Sequence, residues 1–492
     1  MAKLSRAKTT GRTRVANEAP PGAGMAVEDV PPPATYELQH ADFTGRYLVL
    51  LPQQDSAKAR RTLENSAGLS VSSTEDFAGT ADVESLGGAE AMVFANLGVA
   101  VVDADPSKTH AMLSAASLEG TDSMIVERER YVYPLNGSEY LRGYQDAVED
   151  LRRRLSAGPT GGLDAGAGGR GGAGFWQPAP FAPVDARPPT HYQPGPARPS
   201  DLDEFFDTAA FTWGLQATGV DRTTRTGAGI LVAVLDTGLD LTHPDFQGRA
   251  ITQLSFVNGE TVQDVLGHGT HCIGTACGPR TVPTAGTRRY GIAWQAGIVA
   301  GKIFDQVTRR APDARILAGI AEAVRQRCAV VSMSLGAPTT VGQAFNAVME
   351  QAAARALAAG TLIIAAAGND SRRPDVIQPV SHPANCPSIM AVAAVDSKMR
   401  VAFFSNATRN PEGGKVDICG PGVNVFSTWP LPTQYRAIDG TSMATPHVAG
   451  CAALHAEESG LRGGALWARL VSTAKTLPLP ASDVGSGLVQ AP

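Results

Sequence analysis

Between residues 201 and 492 the chain alternates short, nearly continuous apolar runs with helical stretches, a pattern that few folds accept. The runs ILVAVLD (230–236), GIVAGKIF (297–304), AVVSMSLG (329–336), TLIIAAAGN (361–369) and IMAVAAVD (389–396) show no alternating polar face. Each therefore reads as a strand buried on both sides. HGTHCIGTAC, PDARILAGIAEAVRQR and VGQAFNAVMEQAAARALAAG read as helices between or after them, and further helices start near Ser442 and Gly463. Fully apolar strands joined by helices require a mostly parallel sheet covered on both faces. The fold class is α/β, doubly wound, and such a sheet places its sites outside the C-terminal ends of its strands.

With 492 residues, of which 43% are hydrophobic, the chain has room for a second unit. Residues 1–35 combine scattered basic residues with Pro, Gly and Ala, a composition expected to stay disordered. Residues 36–135 carry a globular pattern: GRYLVLLP as a strand, SAKARRTLENSAG as a helix and AMVFANLGVAVVDAD as one or two strands. PSKTHAMLSAASL then reads as a helix capped by Asp105 or Ser107, and SMIVERERYVYPL as a last strand. The order β-α-β-β-α-β is that of a small α+β ferredoxin-like domain. Over 136–157, Tyr140, Leu141, Tyr144, Val148, Leu151 and Leu155 recur every three or four residues, the spacing of an amphipathic helix. Residues 158–200 are a Gly/Pro-rich linker, and 201–492 form the doubly wound domain.

A formal charge of −5, from 47 acidic and 42 basic side chains, gives no electrostatic drive toward nucleic acid or a membrane surface. No stretch approaches the roughly 20 apolar residues of a membrane span. The basic N-terminus lacks the apolar core of a secretory signal, so the expected location is the cytoplasm, or outside it by a route without a classical signal peptide. The six cysteines show neither a CxxC pair nor zinc-site spacing, and are expected to be reduced and buried.

Three strings place chemistry at strand ends and helix starts: VAVLDTGLDLTHPDF with Asp236, GHGTHCIGTACG with His268, and GTSMATPHVAG with Ser442. A serine hydroxyl attacks a peptide carbonyl only if a base takes its proton, and histidine does so near neutral pH. A buried carboxylate on the other ring nitrogen fixes the tautomer, the role that suits Asp236. TLIIAAAGND sets Asn369 just past a strand, where its amide could donate to an oxyanion together with the Ser442 N–H. His271 has no third ligand near it in sequence and reads as structural, as do His243, His382 and His447. Cys272, four residues after His268, shares its helix face, so a mercurial adduct there is expected to disturb the base.

These strings, with SMSLG, SHPANCPSIMAVAAVD and FSNAT, resemble the subtilase family of serine peptidases from about Trp213 to Gln490, in the order Asp, His, Ser known for subtilisin. The resemblance implies a serine endopeptidase acting on protein or peptide substrates through an acyl-enzyme, with no required cofactor. It implies Asp236, His268 and Ser442 as the triad, Asn369 as oxyanion donor, Ser334, Leu335 and Gly336 as the substrate-binding strand, and Ser381 at the base of the primary pocket. Asp245 matches a calcium-ligand position of the family, but the loop GPRTVPTAGTRRYG contains no acidic residue, which leaves few oxygen ligands for that ion. The N-terminal unit resembles the family propeptide, implying a self-processed zymogen with an intramolecular inhibitor, cut near 131–135 or within 158–200. A broad endopeptidase and a dedicated processing protease would share this site. A catalytically dead scaffold would lack one of the three residues, and none is missing.

Overall fold

A computed structural model describes residues 43–51, 56–77, 79–116, 124–135, 203–282, 284, 287–410 and 412–492. The expected tail, the amphipathic helix 136–157 and the linker 158–200 lie outside the described residues. In the first segment, β1 (Phe43–Leu50) leads to a helix (Ser56–Ala67), β2 (Val71–Ser73), β3 (Ala91–Phe94), β4 (Val99–Val102), a second helix (Pro106–Ala116) and β5 (Ile125–Pro134). The strands lie in the order β5-β1-β4-β3-β2, antiparallel except for the pair β2 and β3. Apart from β2 this is the ferredoxin-like arrangement, and β2 is too short for its three residues to show a period. Asp105 caps the second helix, its carboxylate accepting from the Ser107 and Lys108 N–H groups at 2.8 and 3.2 Å.

Every residue of β3 and β4 is buried, more than a two-layer unit requires. One face, with Val49, Ala91, Val93, Ala100 and Val102, packs on Leu63 and Met112 of the two helices. The other, with Leu48, Met92, Phe94, Val99 and Val101, belongs to the core of the larger domain. Burying each such side chain contributes about 1.5–3 kcal/mol, so the second face docks as a core docks.

The larger domain contains β6 (Leu231–Asp236), β7 (Ile251–Ser255), β8 (Gly297–Lys302), β9 (Ala311–Pro312), β10 (Val330–Met333), β11 (Leu335–Gly336), β12 (Leu362–Ala366), β13 (Met390–Val395), β14 (Ile418–Pro421), β15 (Val425–Thr428) and β16 (Tyr435–Ile438). Its main sheet runs β14-β13-β12-β10-β6-β8-β7 and is parallel throughout. The strand order departs in both directions from β6, and at this switch point Asp236 ends β6, Ser334 follows β10 and Asn369 lies beyond β12. The helix Thr441–Ser459, buried from Thr441 to Ala456, crosses the sheet and brings Ser442 to the same edge. β9 and β11 leave that sheet and pair antiparallel with β5, so the N-terminal sheet continues onto the larger domain.

Candidate active site

His268 opens the helix His268–Cys277, whose first turn is held by Asp264. The Asp264 carboxylate accepts from the Leu266, Gly267 and Thr270 N–H groups, each at 2.9 Å. Gly267 has φ 96°, and a Cβ there would meet Trp429, so the turn before the helix requires glycine. The Gly269 N–H donates to Thr237 Oγ1 at 2.7 Å, tying the helix start to the end of β6. As a result His268 Nδ1 lies 2.7 Å from Asp236 Oδ1, which also accepts from the Thr237 N–H at 2.7 Å. Burial is the largest single influence and pushes the imidazole pKa down, but the Asp236 carboxylate and the neighbouring Cys272 together outweigh it, and the net position is well above the ordinary 6.5.

Ser442 stands in the first turn of its helix, after Gly440 at φ 153°. Its hydroxyl donates to the Ser334 carbonyl at 3.0 Å, and the Ser334 hydroxyl donates back to the Ser442 carbonyl at 2.8 Å. His268 Nε2 has no hydrogen-bond partner among the described residues. The Asn369 amide is oriented by its oxygen, which accepts from the Thr441 N–H at 3.0 Å and the Thr441 hydroxyl at 2.8 Å, leaving Nδ2 buried and unpartnered. Each such atom costs on the order of 1–3 kcal/mol, and their clustering marks a site that gives up stability for chemistry. Cys272 is fully buried here too, its Sγ 4.0 Å from His268 Nδ1 and 3.6 Å from the Ser442 carbonyl. Asp236, His268 and Cys272 hold their ligand atoms within 4.8 Å of one another.

The end of β5 fills the groove beside these groups. Tyr133 pairs with Gly336 and Pro134 with Leu335, while on the other side Tyr131 pairs with Pro312 and Val132 with Ala311. The Leu135 N–H donates to the Ser334 carbonyl at 3.2 Å. A Cβ placed on Gly440 would lie 2.9 Å from the Leu135 carbonyl oxygen and 3.4 Å from Asn369 Nδ2, so both groups stand beside this glycine. The Leu135 side chain lies against Gly336, which also abuts Ser381. Sequence reasoning did not find β9, since two residues before a helix carry no pattern. Asp264 was equally missed, although its place three residues before a glycine that starts a helix was a usable sign.

The other candidates have structural partners. His271 Nε2 bonds the Val425 and Arg436 carbonyls at 2.9 and 3.2 Å, and burial pushes its pKa down to about 3. His447 bonds the Met443 carbonyl at 2.8 Å, His243 that of Gln434 at 2.8 Å, and His382 the Asp313 carboxylate at 2.9 Å. Asp245 accepts from the hydroxyls of Tyr290 and Tyr435, the latter at 3.0 and 3.1 Å to its two oxygens. Both of its oxygens thus accept from phenols, and among the described residues it joins no group of three His, Cys, Asp or Glu ligand atoms.

A family model described as the subtilase family matches residues 227–487. The chain is 36% identical over 274 residues to alkaline serine protease ver112 of Corniculantispora psalliotae, covering 53% of this chain and 64% of that protein. It is 40% identical over 231 residues to subtilisin E of Bacillus subtilis strain 168, covering 46% and 56%. To subtilisin BL of Lederbergia lenta it is 40% identical over 246 residues, covering 49% and 82%. The matched region thus spans less than two thirds of the first two relatives and most of the third.

Proposed function

Since this chain belongs to the subtilase family, we propose that it is a serine endopeptidase in which Ser442 is the nucleophile, His268 the base and Asp236 the orienting carboxylate. The observation that carries this reading is the buried 2.7 Å Asp236–His268 pair beside a helix-opening serine and an unpartnered asparagine amide. In the reaction the Ser442 hydroxyl leaves the Ser334 carbonyl, turns to His268 Nε2 and attacks the substrate carbonyl carbon while Nε2 takes its proton. The oxyanion accepts from Asn369 Nδ2 and the Ser442 N–H. As the tetrahedral intermediate collapses, Nε2 gives the proton to the departing amine, leaving an acyl-enzyme that water hydrolyses by the same exchange. Ser334, Leu335 and Gly336 bind the substrate as an added antiparallel strand, with Ser381 beside the pocket for the residue before the cleaved bond.

The same reading makes residues 36–135 an intramolecular inhibitor and the chain a zymogen that cuts itself after Leu135. It is supported by the pairing of β5 with β9 and β11 and by the Leu135 N–H donating to the Ser334 carbonyl at 3.2 Å. Of the two regions expected for self-cleavage, this favours the first. Calcium takes no part at Asp245 on this view. The deciding experiment is mass spectrometry of the purified protein beside Ser442→Ala. The wild type is expected as two fragments divided at Leu135, and the variant as one intact chain. Identical masses in the two samples, whether cut or uncut, would overturn the zymogen reading.

A further inference from the structure

Beyond the buried Val132, β5 continues along β9 to Tyr131. Tyr131 is the fifth residue before the proposed scissile bond, and its half-buried ring lies under the Arg310 guanidinium, 3.9 Å from ring centroid to Cζ. A cation at that distance over an aromatic face is held by the ring quadrupole, and arginine is the side chain best shaped to lie flat on it. The arginine stands on a prebuilt support. Asp305 caps the loop before it, its carboxylate accepting from the Val307 and Thr308 N–H groups at 2.8 and 2.7 Å, and the Arg309 N–H donates to the Asp305 carbonyl at 2.9 Å. Arg310 then leads directly into β9, so its position relative to any strand paired there is set by the register Tyr131↔Pro312. No carboxylate among the described residues forms an ion pair with it. Beside the ring lies a cavity of about 430 Å³ between the two units, lined by Thr308, Arg310 and Arg315 of the larger domain and by Arg46, Glu84 and Asp103 of the N-terminal unit.

We infer that Arg310 is a specificity-determining residue that selects peptide substrates with an aromatic side chain five residues before the cleaved bond. The inference rests on reading residues 131–135 as a bound self-substrate. It adds a recognition element on β9, opposite the β11 side and beyond the pockets for the residues nearest the scissile bond.

The test uses the active enzyme from the full chain and reporter peptides Xaa-Val-Tyr-Pro-Leu, released after the leucine, with Xaa as Tyr, Phe, Ala or Glu. The wild type is expected to show kcat/KM about 3- to 30-fold higher for Tyr and Phe than for Ala, the span of partly exposed cation–π contacts. In Arg310→Ala that ratio should fall to near one, and in Arg310→Lys it should fall between the two. Because each ratio is taken within one variant, a general loss of folding or turnover cancels. Equal rates for Tyr and Ala in the wild type, or an aromatic preference that persists in Arg310→Ala, would overturn the inference while leaving the proposed endopeptidase intact. A Glu peptide that outperforms Tyr would show that the arginine reads charge, and would overturn it too. Failure to cleave any of the peptides would bring down the self-substrate reading together with the inference.

Discussion

At the scale of the residue, the sharpest consequence concerns His268, which must be unprotonated to accept the serine proton. Its pKa is held above the ordinary histidine range by Asp236 against burial, so activity should rise with pH along an acid limb placed above 6.5. In Asp236→Asn the carboxylate is gone and burial dominates, so the limb should move below 6.5. The turnover rate should fall on the order of 10⁴, as with the matching change in chymotrypsin-type triads. Profiles of kcat/KM against pH decide this, and an unmoved limb in the variant would show that Asp236 does not set the imidazole pKa. Cys272 gives a second expectation. Burial keeps it a protonated thiol, which reacts slowly with alkylating agents, yet its sulfur lies 4.0 Å from His268 Nδ1, where a mercury adduct would break the bond to Asp236. Mercuric chloride should remove most activity from the wild type and none from Cys272→Ala, and equal sensitivity of the two would discard the idea. Asp236, His268, Ser442 and Asn369 were all readable because short local strings surround each of them. The tyrosines on Asp245 were not, because Tyr435 is 190 residues away in sequence and only the fold brings it there.

At the scale of the element, continuous apolar runs identified β6, β8, β10, β12 and β13. Besides β9, other strands escaped notice for separate physical reasons. β7, with its polar residues partly exposed at the sheet edge, carries no such run; β14 is ICGP, broken by glycine and proline; β15 belongs to a two-stranded hairpin outside the main sheet. The helix read from 341 begins only at Ala347, because the Asn346 side chain accepts from the Met349 N–H at 2.8 Å and sets the start there. β5 has a second role that its sequence hid: Glu129 accepts from the Ala314 N–H at 2.9 Å and Glu127 from the Ala347 N–H at 3.4 Å. Two helices of the larger domain are thus capped by carboxylates of the N-terminal domain. Hydrogen bonds to charged groups contribute about 1.5–3 kcal/mol, so Glu129→Gln should weaken docking roughly 10- to 100-fold. The readout is a shorter lag before peptide hydrolysis appears, with circular dichroism to check folding. An unchanged lag would assign the docking to the apolar face alone.

At the scale of the whole molecule, the arrangement of two units could be read from composition, but the way they join could not. The sign was present in AMVF and VAVV, whose wholly apolar residues mean that both faces of the small sheet are covered, though nothing in the sequence tells what covers the second one. β5 pairs with β1 through residues 125–130, and its last residues then run between β9, which pairs with Tyr131 and Val132, and β11, which pairs with Tyr133 and Pro134. Should the domain leave after cleavage, that end of the strand becomes a bare row of backbone groups, the kind of surface on which identical chains stack. The strand reads IVERERYVYP, with four consecutive charged residues at its centre and a proline at its end. A copy pairing on that end would find no donor at Pro134 and would have to approach the four charged side chains that precede it. A domain released in this way would carry its own guard against aggregation.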